Sequence, residues 1–253
     1  MEYLLPDLNL LKVVKEKVDD PNAGKFVIEP LSPGYGVTIG NSLRRVLLAS
    51  LEGYAAKSVK IHGVSHEYAT IKGVKEDVVD IILNLKMVRF KLTSDEPVTL
   101  NLSVKGPKKV TAADFKKSSG FEAIDPSQYI ATIEKGGTLD LEVVVDKGRG
   151  YVPVEKRQDE KVPIGTILVD SIYTPVKKVK YEVENARVGS ITNYNRLVIE
   201  IATDGSVSPE GALKKASAIL MEHMSVLVEA CDSFGPKKTT ETKKSKIKKK
   251  DGK

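Results

Sequence analysis

Residues 25–50 read KFVIEPLSPGYGVTIGNSLRRVLLAS, and the change of hydrophobic period inside this stretch sets the fold class. In KFVIEPL (25–31), Phe26, Ile28 and Leu31 alternate with polar neighbours, as a strand with one buried face does. Ser32-Pro33-Gly34-Tyr35-Gly36 then breaks regular structure. Thr38 stands where an N-cap hydroxyl would accept an orphan backbone N–H, and TIGNSLRRVLLAS switches to helical spacing. Ile39, Leu43, Val46, Leu47 and Ser50 share one face; Asn41, Arg44, Arg45 and Leu48 lie on others. A strand that turns directly into a helix with two usable surfaces is the expected nucleus of an α+β fold.

The flanking sequence extends that pattern. Val78, Ile81, Ile82, Leu85 and Val88 recur at three- and four-residue steps behind Glu76-Asp77, which predicts a second helix over 75–89 with a core-facing stripe. Alternating runs at Val98-Leu100-Leu102-Val104, Leu139-Leu141-Val143-Val145 and Leu197-Ile199-Ile201, separated by Gly, Pro and Asp, predict a sheet-rich middle. Ser208-Pro209-Glu210 combines an N-cap hydroxyl, proline at the first helical position and an acid in the first turn, so a third helix opens there and is expected to stop at Gly235-Pro236. Within it Leu213, Leu220 and Leu227 fall seven residues apart, with Ala216, Met224 and Cys231 at the intermediate steps, a coiled-coil-like seam that calls for a partner helix. No internal repeat is present.

Composition narrows the function classes. The chain has 253 residues, 41% hydrophobic and 29% charged, the balance of an ordinary globular protein. No run approaches the roughly 18 apolar residues of a membrane span. The N-terminus MEYLLPDLNLLKVVKEKVDD lacks the basic start and small-residue cleavage site of a secretory signal, which makes the cytoplasm the expected compartment. Cys231 is the single cysteine, so an intramolecular disulfide and a multi-cysteine zinc site are excluded, and His62, His66 and His223 are scattered. The formal net charge is +6, but residues 237–253 hold nine lysines against Glu241 and Asp251. That excess of seven leaves residues 1–236 at −1. The tail has the composition of a solvated, disordered segment. It reads either as a solubilising tail or as a loose attractor of nucleic-acid phosphates.

Enzyme motifs are weak. Gly34-Tyr35-Gly36-Val37-Thr38-Ile39-Gly40 follows a strand and opens a helix, but its third glycine comes one residue late for a dinucleotide fingerprint. The alternative is a tight strand-to-helix turn in which Gly34 and Gly36 supply unusual φ values. Lys147-Gly148-Arg149-Gly150 lacks the phosphate-loop pattern and leads into Tyr151-Val152-Pro153, so a plain loop is expected. No nucleophile elbow, Ser/His/Asp order or zincin helix occurs. Arg44-Arg45 reads either as solvated helix surface or as an interface anchor, since arginine is enriched at interfaces.

Several segments together resemble the N-terminal assembly region of the bacterial RNA polymerase alpha subunit: FVIEPLSPGYGVTIGNSLRRVLLASLEGYA (26–55), VSHEYATIKGVKEDVVDIILNLK (64–86), VTAADF (110–115), GRGYVP (148–153), PIGTILVDSIYTPVKKV (163–179) and LVIEIATDGSVSPEGAL (197–213). The resemblance implies a two-domain α+β fold. A discontinuous dimerisation domain, residues 1–52 and 178–235, would set two long helices on a sheet, and a sheet-rich domain over 53–177 would interrupt it, with 236–253 as tail. It implies a homodimer interface at Ile39, Leu43, Val46, Leu47, Leu213, Leu220, Met224 and Leu227. It places Arg44, Arg45, Leu48 and Lys86 against the beta subunit, and Val176, Lys178, Arg187 and Ile191 toward beta-prime. The role it implies is a scaffold for beta and beta-prime assembly with no cofactor in this chain. The magnesium and zinc of the complex belong to other subunits, omega and sigma complete the complex, DNA is met through it, and the location is cytoplasmic at the nucleoid.

Two departures stand out. After Glu184-Asn185-Ala186-Arg187-Val188 the family usually carries a Gln-Arg-Thr-Asp run, whereas this chain reads Ser190-Ile191-Thr192-Asn193-Tyr194-Asn195. The run lacks the family's arginine and acidic charge at that spot, and Ile191 offers apolar contact to beta-prime in place of ion pairs. The family normally continues through a linker into a small helical DNA-binding domain, whereas this sequence ends in lysines; weak, sequence-independent DNA contact by that tail is one expectation, and an engineered truncation would give the same ending. Three rival readings remain: a nucleic-acid-binding module, which needs basic residues clustered on the fold; an enzyme built on the Gly34–Gly40 turn; and a structural dimer unrelated to transcription.

Overall fold

The computed structural model describes residues 11–116, 120–157, 159–160, 162–188 and 191–234. In chain order the strands and helices are β1 (Lys12–Glu16), β2 (Ala23–Leu31), α1 (Tyr35–Ala49), β3 (Glu52–Ile61), α2 (Val78–Met87), β4 (Phe90–Leu92), β5 (Val98–Lys105) and β6 (Lys108–Thr111). There follow β7 (Phe121–Ala123), β8 (Tyr129–Ile133), β9 (Thr138–Arg149), β10 (Tyr151–Val152), β11 (Thr166–Leu168), β12 (Ser171–Ile172), β13 (Val176–Val188), β14 (Ile191–Thr203) and α3 (Pro209–Phe234).

Two sheets with separate cores result. The first is ordered β1-β2-β14-β13, all antiparallel, and so unites the start of the chain with its last strands. Because side chains alternate across a strand, paired residues share a face. Phe26, Ile199 and Tyr181 face α1 and α3, while the Lys25, Glu200 and Lys180 row faces outward. Phe26, Leu43, Leu47, Leu51, Val176, Ile199, Ile201, Ala212 and Ala216 close this core. The second sheet runs β5-β9-β3-β4-β7 with β11 on β3, and small pairs β6-β8 and β10-β12 flank it. Its core collects Val59, Ile81, Leu85, Leu100, Leu139 and Val143 under α2, with Phe90, Phe115 and Phe121 as a ring trio 6.0–6.1 Å apart. Aromatic clusters of this spacing bury much apolar area and stabilise the core beyond that burial.

The helices begin where local chemistry permits. The Asp77 carboxylate accepts from Asp80 N at 2.7 Å, which starts α2 at Val78, three residues later than periodicity alone suggested. Ser208 Oγ accepts from Gly211 N at 3.1 Å and caps α3 as its sequence predicts. The stop expected at Gly235-Pro236 lies outside the described residues.

α1 departs from expectation. It starts at Tyr35, after Gly34 at φ +87, and Thr38 is inside the helix, donating its hydroxyl to Gly34 O at 3.3 Å. The cap comes from 161 residues away: Asn195 Oδ1 accepts from Gly34 N at 2.8 Å and from Gly36 N at 3.3 Å. Gly36 does not have a positive φ. Its role is close packing, since a Cβ there would stand 2.7 Å from Val183 Cγ1, and one on Gly40 would stand 2.7 Å from the Tyr181 ring. The glycine pattern thus lets a helix lie flat on β13 and β14.

Candidate functional site: the exposed helix faces and the hairpin arm

The four-residue spacing of α1 divides its surface as the sequence anticipates. Leu43 (4% exposed) and Leu47 (0%) point into the protomer's own core. This corrects their reading as dimer-contact residues, because side chains already enclosed offer no area to a partner. Ile39, Val46 and Leu48 are half-buried at the core's margin, and Arg44 and Arg45 are exposed.

α3 has two regimes. Ala212 and Ala216, both fully buried, seat its first half against α1, and Leu213 and Leu220 are half-buried beside them. From Met221 to Cys231 every residue is exposed. Met221, Met224, Val226, Leu227 and Val228 are each 57–68% exposed. At about 100° per residue Leu227, Leu220, Cys231, Met224, Val228 and Met221 form one stripe about 120° wide, roughly a third of the helix circumference, and Val226 lies apart from it. The heptad reading found Leu220, Met224 and Leu227 but missed Met221 and Val228, which widen the seam on one side, and Val226, which is exposed on another face. A width beyond two positions in seven was the available signal.

Lys86 sits on α2 in the second body, where its Nζ meets Asp170 Oδ2 at 2.9 Å. Asp170 also accepts from Val154 N at 2.9 Å, and the Lys86 ammonium is the leading cause that holds its carboxyl below the usual range. Tyr68, Leu83 and Met87 are exposed nearby on or beside the same groove, which is lined by Glu67, Tyr68, Ile82, Leu83, Lys86 and Asp170.

β13 and β14 outrun β2. Pairing of β14 with β2 ends at Asn195↔Leu31 after a register shift, while β13 and β14 stay paired through Ala186↔Tyr194 and Val188↔Ile191. The result is a two-stranded arm, and such ribbons are marginal without a covering surface. Arg187 is exposed on it, and the side chain of Ile191 lies outside the described residues, as does Ser190. At its root Arg196 reaches Glu184 at 2.9 Å, Glu29 at 3.3 Å and Glu16 at 3.6 Å. Lys178 is exposed, but Val176 is 1% exposed and packs in the first core, so it cannot itself touch a partner.

Lys147-Gly148-Arg149 is the end of β9 rather than a loop. Lys147 pairs with Asp95 at 2.7 Å and Glu52 at 3.0 Å, which raise its pKa, and Arg149 pairs with Glu52 at 2.6 Å. Gly148 leaves room for the Tyr173 ring, which a Cβ would meet at 2.7 Å. That ring belongs to a buried relay: Arg157 donates to Tyr173 Oη at 2.7 Å and to Ser171 Oγ at 3.0 Å, and Tyr173 donates to Asp146. Burial, then the Asp146 carboxylate, push Tyr173 up to about 12. The relay fixes the segment after β10 to β9 and β12. Among the described residues no group of three His, Cys, Asp or Glu side chains is placed to hold a metal ion, and no helix is long and apolar enough to cross a membrane.

Comparison with known proteins matches this architecture. The family model described as RNA polymerase Rpb3/RpoA insert domain matches residues 59–174, a stretch within which the second sheet falls except for the start of β3. DNA-directed RNA polymerase subunit alpha of Moorella thermoacetica is 51% identical over 219 residues, 85% of this chain and 70% of that protein. The subunits of the same name from Alkaliphilus metalliredigens and a Clostridium botulinum strain are 49% and 48% identical, over 85% and 86% of this chain and 68% and 69% of theirs. With about half of the aligned residues identical over 85% of the chain, this protein belongs to the bacterial DNA-directed RNA polymerase alpha subunit family.

Proposed function

We propose that the chain is a non-catalytic assembly subunit: it pairs with a second copy through α1 and α3 and then presents different surfaces of each copy to the beta and beta-prime subunits. The observation that carries this reading is the second half of α3, an apolar helix surface that none of the described residues covers. A surface of that kind is costly in water unless it is an interface. A two-fold pair would use the same patch on both copies. Ile39, Val46, Leu213, Leu220, Met224 and Leu227 form that patch, with Met221 and Val228 at its flank.

Arg44, Arg45 and Leu48 on α1, with Lys86 on α2, are the proposed beta-facing residues; the exposed arginines can anchor carboxylates of a partner. Lys178, Arg187 and Ile191 on the β13–β14 arm are the proposed beta-prime contacts. Nucleotide addition, and the magnesium and zinc of the complex, are assigned to other subunits; omega and sigma join the same complex, DNA is met through it, and the location is the cytoplasm at the nucleoid. Affinity capture of the tagged chain from its source cells, followed by mass spectrometry, tests the reading. Two very large subunits should co-purify and the one bound by α1 should be lost on Arg45→Ala. Recovery of a dimer alone would leave the pairing and remove the assembly role.

A further inference from the structure

Three glycine-bearing turns meet in the second body. Lys72-Gly73-Val74-Lys75 precedes α2, Lys105-Gly106-Pro107-Lys108-Lys109 passes from β5 into β6, and Glu134-Lys135-Gly136-Gly137 joins β8 to β9. Their backbones are laced together. Glu134 N donates to Gly73 O at 2.8 Å, Lys75 N to Thr132 O at 3.0 Å and Gly106 N to Gly137 O at 3.0 Å. Val74 bridges Ile133, and Lys108 and Lys109 pair with Ile133 and Thr132. Glycine is required for this approach: a Cβ on Gly137 would stand 2.2 Å from Gly73 O, and one on Gly106 would stand 2.1 Å from Glu134 O. The turns therefore form one fixed platform.

The platform is basic. All six of its lysines are exposed. Lys108 pairs with Asp114, whereas Lys72, Lys75, Lys105, Lys109 and Lys135 have no carboxylate at ion-pair distance among the described residues. The acids at hand are Glu134, Asp114, Glu76 and Asp77, of which Asp77 caps α2. Asp114 also accepts from Thr111 N at 3.0 Å, and Glu76 is engaged by Thr132 N at 2.7 Å and by the Tyr129 hydroxyl. Six lysines against four acids leave an excess of two positive charges in one place, although residues 1–236 together carry −1.

We propose that this platform binds the phosphate backbone of double-stranded nucleic acid without reading its sequence. Lysines are compact point charges suited to phosphates, and the turns hold no Arg, Asn or Gln to grip base edges. None of the strongly exposed large apolar side chains lies in these turns, so they offer neither the stacking rings that single strands use nor the apolar centre of a protein interface. Lys75 and Lys109 flank Thr132 on neighbouring strands, two strand spacings or about 10 Å apart. A duplex presents about six phosphate charges over that length of axis.

The test is duplex binding by the full chain, read as fluorescence anisotropy of a 30-base-pair probe between about 50 and 200 mM salt. The tail lysines must be separated from the platform. One variant therefore carries Gln at Lys72, Lys75, Lys105, Lys109 and Lys135, a second carries Arg at the same five, and a third carries Gln at the nine lysines of 237–253. Each phosphate contact contributes about 0.9 to the slope of log K against log salt, so the five-Gln variant should lose up to about 4.5 of that slope. The five-Arg variant should keep it and the tail variant should retain the platform's share. Two half-variants, Lys72→Gln with Lys75→Gln and Lys105→Gln with Lys109→Gln, should each lose part of it, which guards against a misfolded five-Gln chain. An unchanged slope in the five-Gln variant overturns the proposal. So does phosphatidylserine vesicle binding that depends on the five lysines while duplex binding does not.

Discussion

Leu227→Ala isolates the contribution of the uncovered half of α3. Leu227 is 59% exposed in the protomer, and complete burial of a leucine contributes about 1.5–3 kcal/mol. Covering the exposed part is therefore worth about 1–2 kcal/mol, and a two-fold interface counts it twice, about 2–4 kcal/mol. At 1.4 kcal/mol per tenfold, the dimer Kd should weaken by about 30- to 700-fold, nearer the lower end because alanine keeps the Cβ. Alanine favours the helix at least as strongly as leucine, so α3 itself should not suffer. Sedimentation equilibrium over nanomolar to micromolar chain would give both constants, with far-UV circular dichroism confirming equal helix content. A Kd within twofold of the parent protein would refute the reasoning and place the partner of this helix elsewhere.

The packing at three further positions sets four more outcomes. Asn195→Ala removes the acceptor for Gly34 N and Gly36 N and should cost about 1 kcal/mol, lowering Tm by about 2–4 °C. Asn195→Asp should match or exceed the parent at neutral pH, since a carboxylate suits a helix N-terminus, and the gain should vanish as pH falls through its lowered pKa; an Asp variant less stable than the Ala one would contradict the cap. Gly40→Val drives a branched side chain into the Tyr181 ring, which a Cβ alone would already meet at 2.7 Å, and a loss of about 1–3 kcal/mol in denaturant melts is expected. Tyr173 binds its proton more tightly in the fold, with its pKa near 12 against an ordinary 10. The stability it confers is thus complete below about pH 10 and is lost as pH rises toward 12, so the pH 10–12 destabilisation should shrink in Tyr173→Phe; an identical alkaline profile would count against the relay.

Much of the architecture was legible because it is local. Alternation in 25–31, the three-four spacing of 39–50 and the Ser208-Pro209-Glu210 start each depend on neighbours a few residues away, and α1, α3, β2, β5, β9 and β14 fall within a few residues of those signals. The site was legible only in outline. Periodicity marked Leu43 and Leu47 as one apolar face, but whether that face meets the protomer's own sheet or a second copy is not a property of spacing. Val176 and the Lys147-Gly148-Arg149 strand end were misjudged for the same reason: their surroundings, Phe26 and Ile199 in one case and Tyr173 in the other, come from distant segments.

The sequence by itself determined the class, the family resemblance, the helix faces and the absence of any recognised enzyme motif, because periodicity, turn residues and motif order are written along the chain. Tertiary structure alone decided three things. It brought Asn195 to cap a helix 161 residues away, it left the second half of α3 uncovered by the described residues, and it gathered lysines from residues 72–75, 105–109 and 135 onto one platform. Net charge could not disclose the last of these. A sum over residues 1–236 comes to −1, whereas the potential near a surface depends on which charges lie within about a Debye length of one another, and that distance is set by folding.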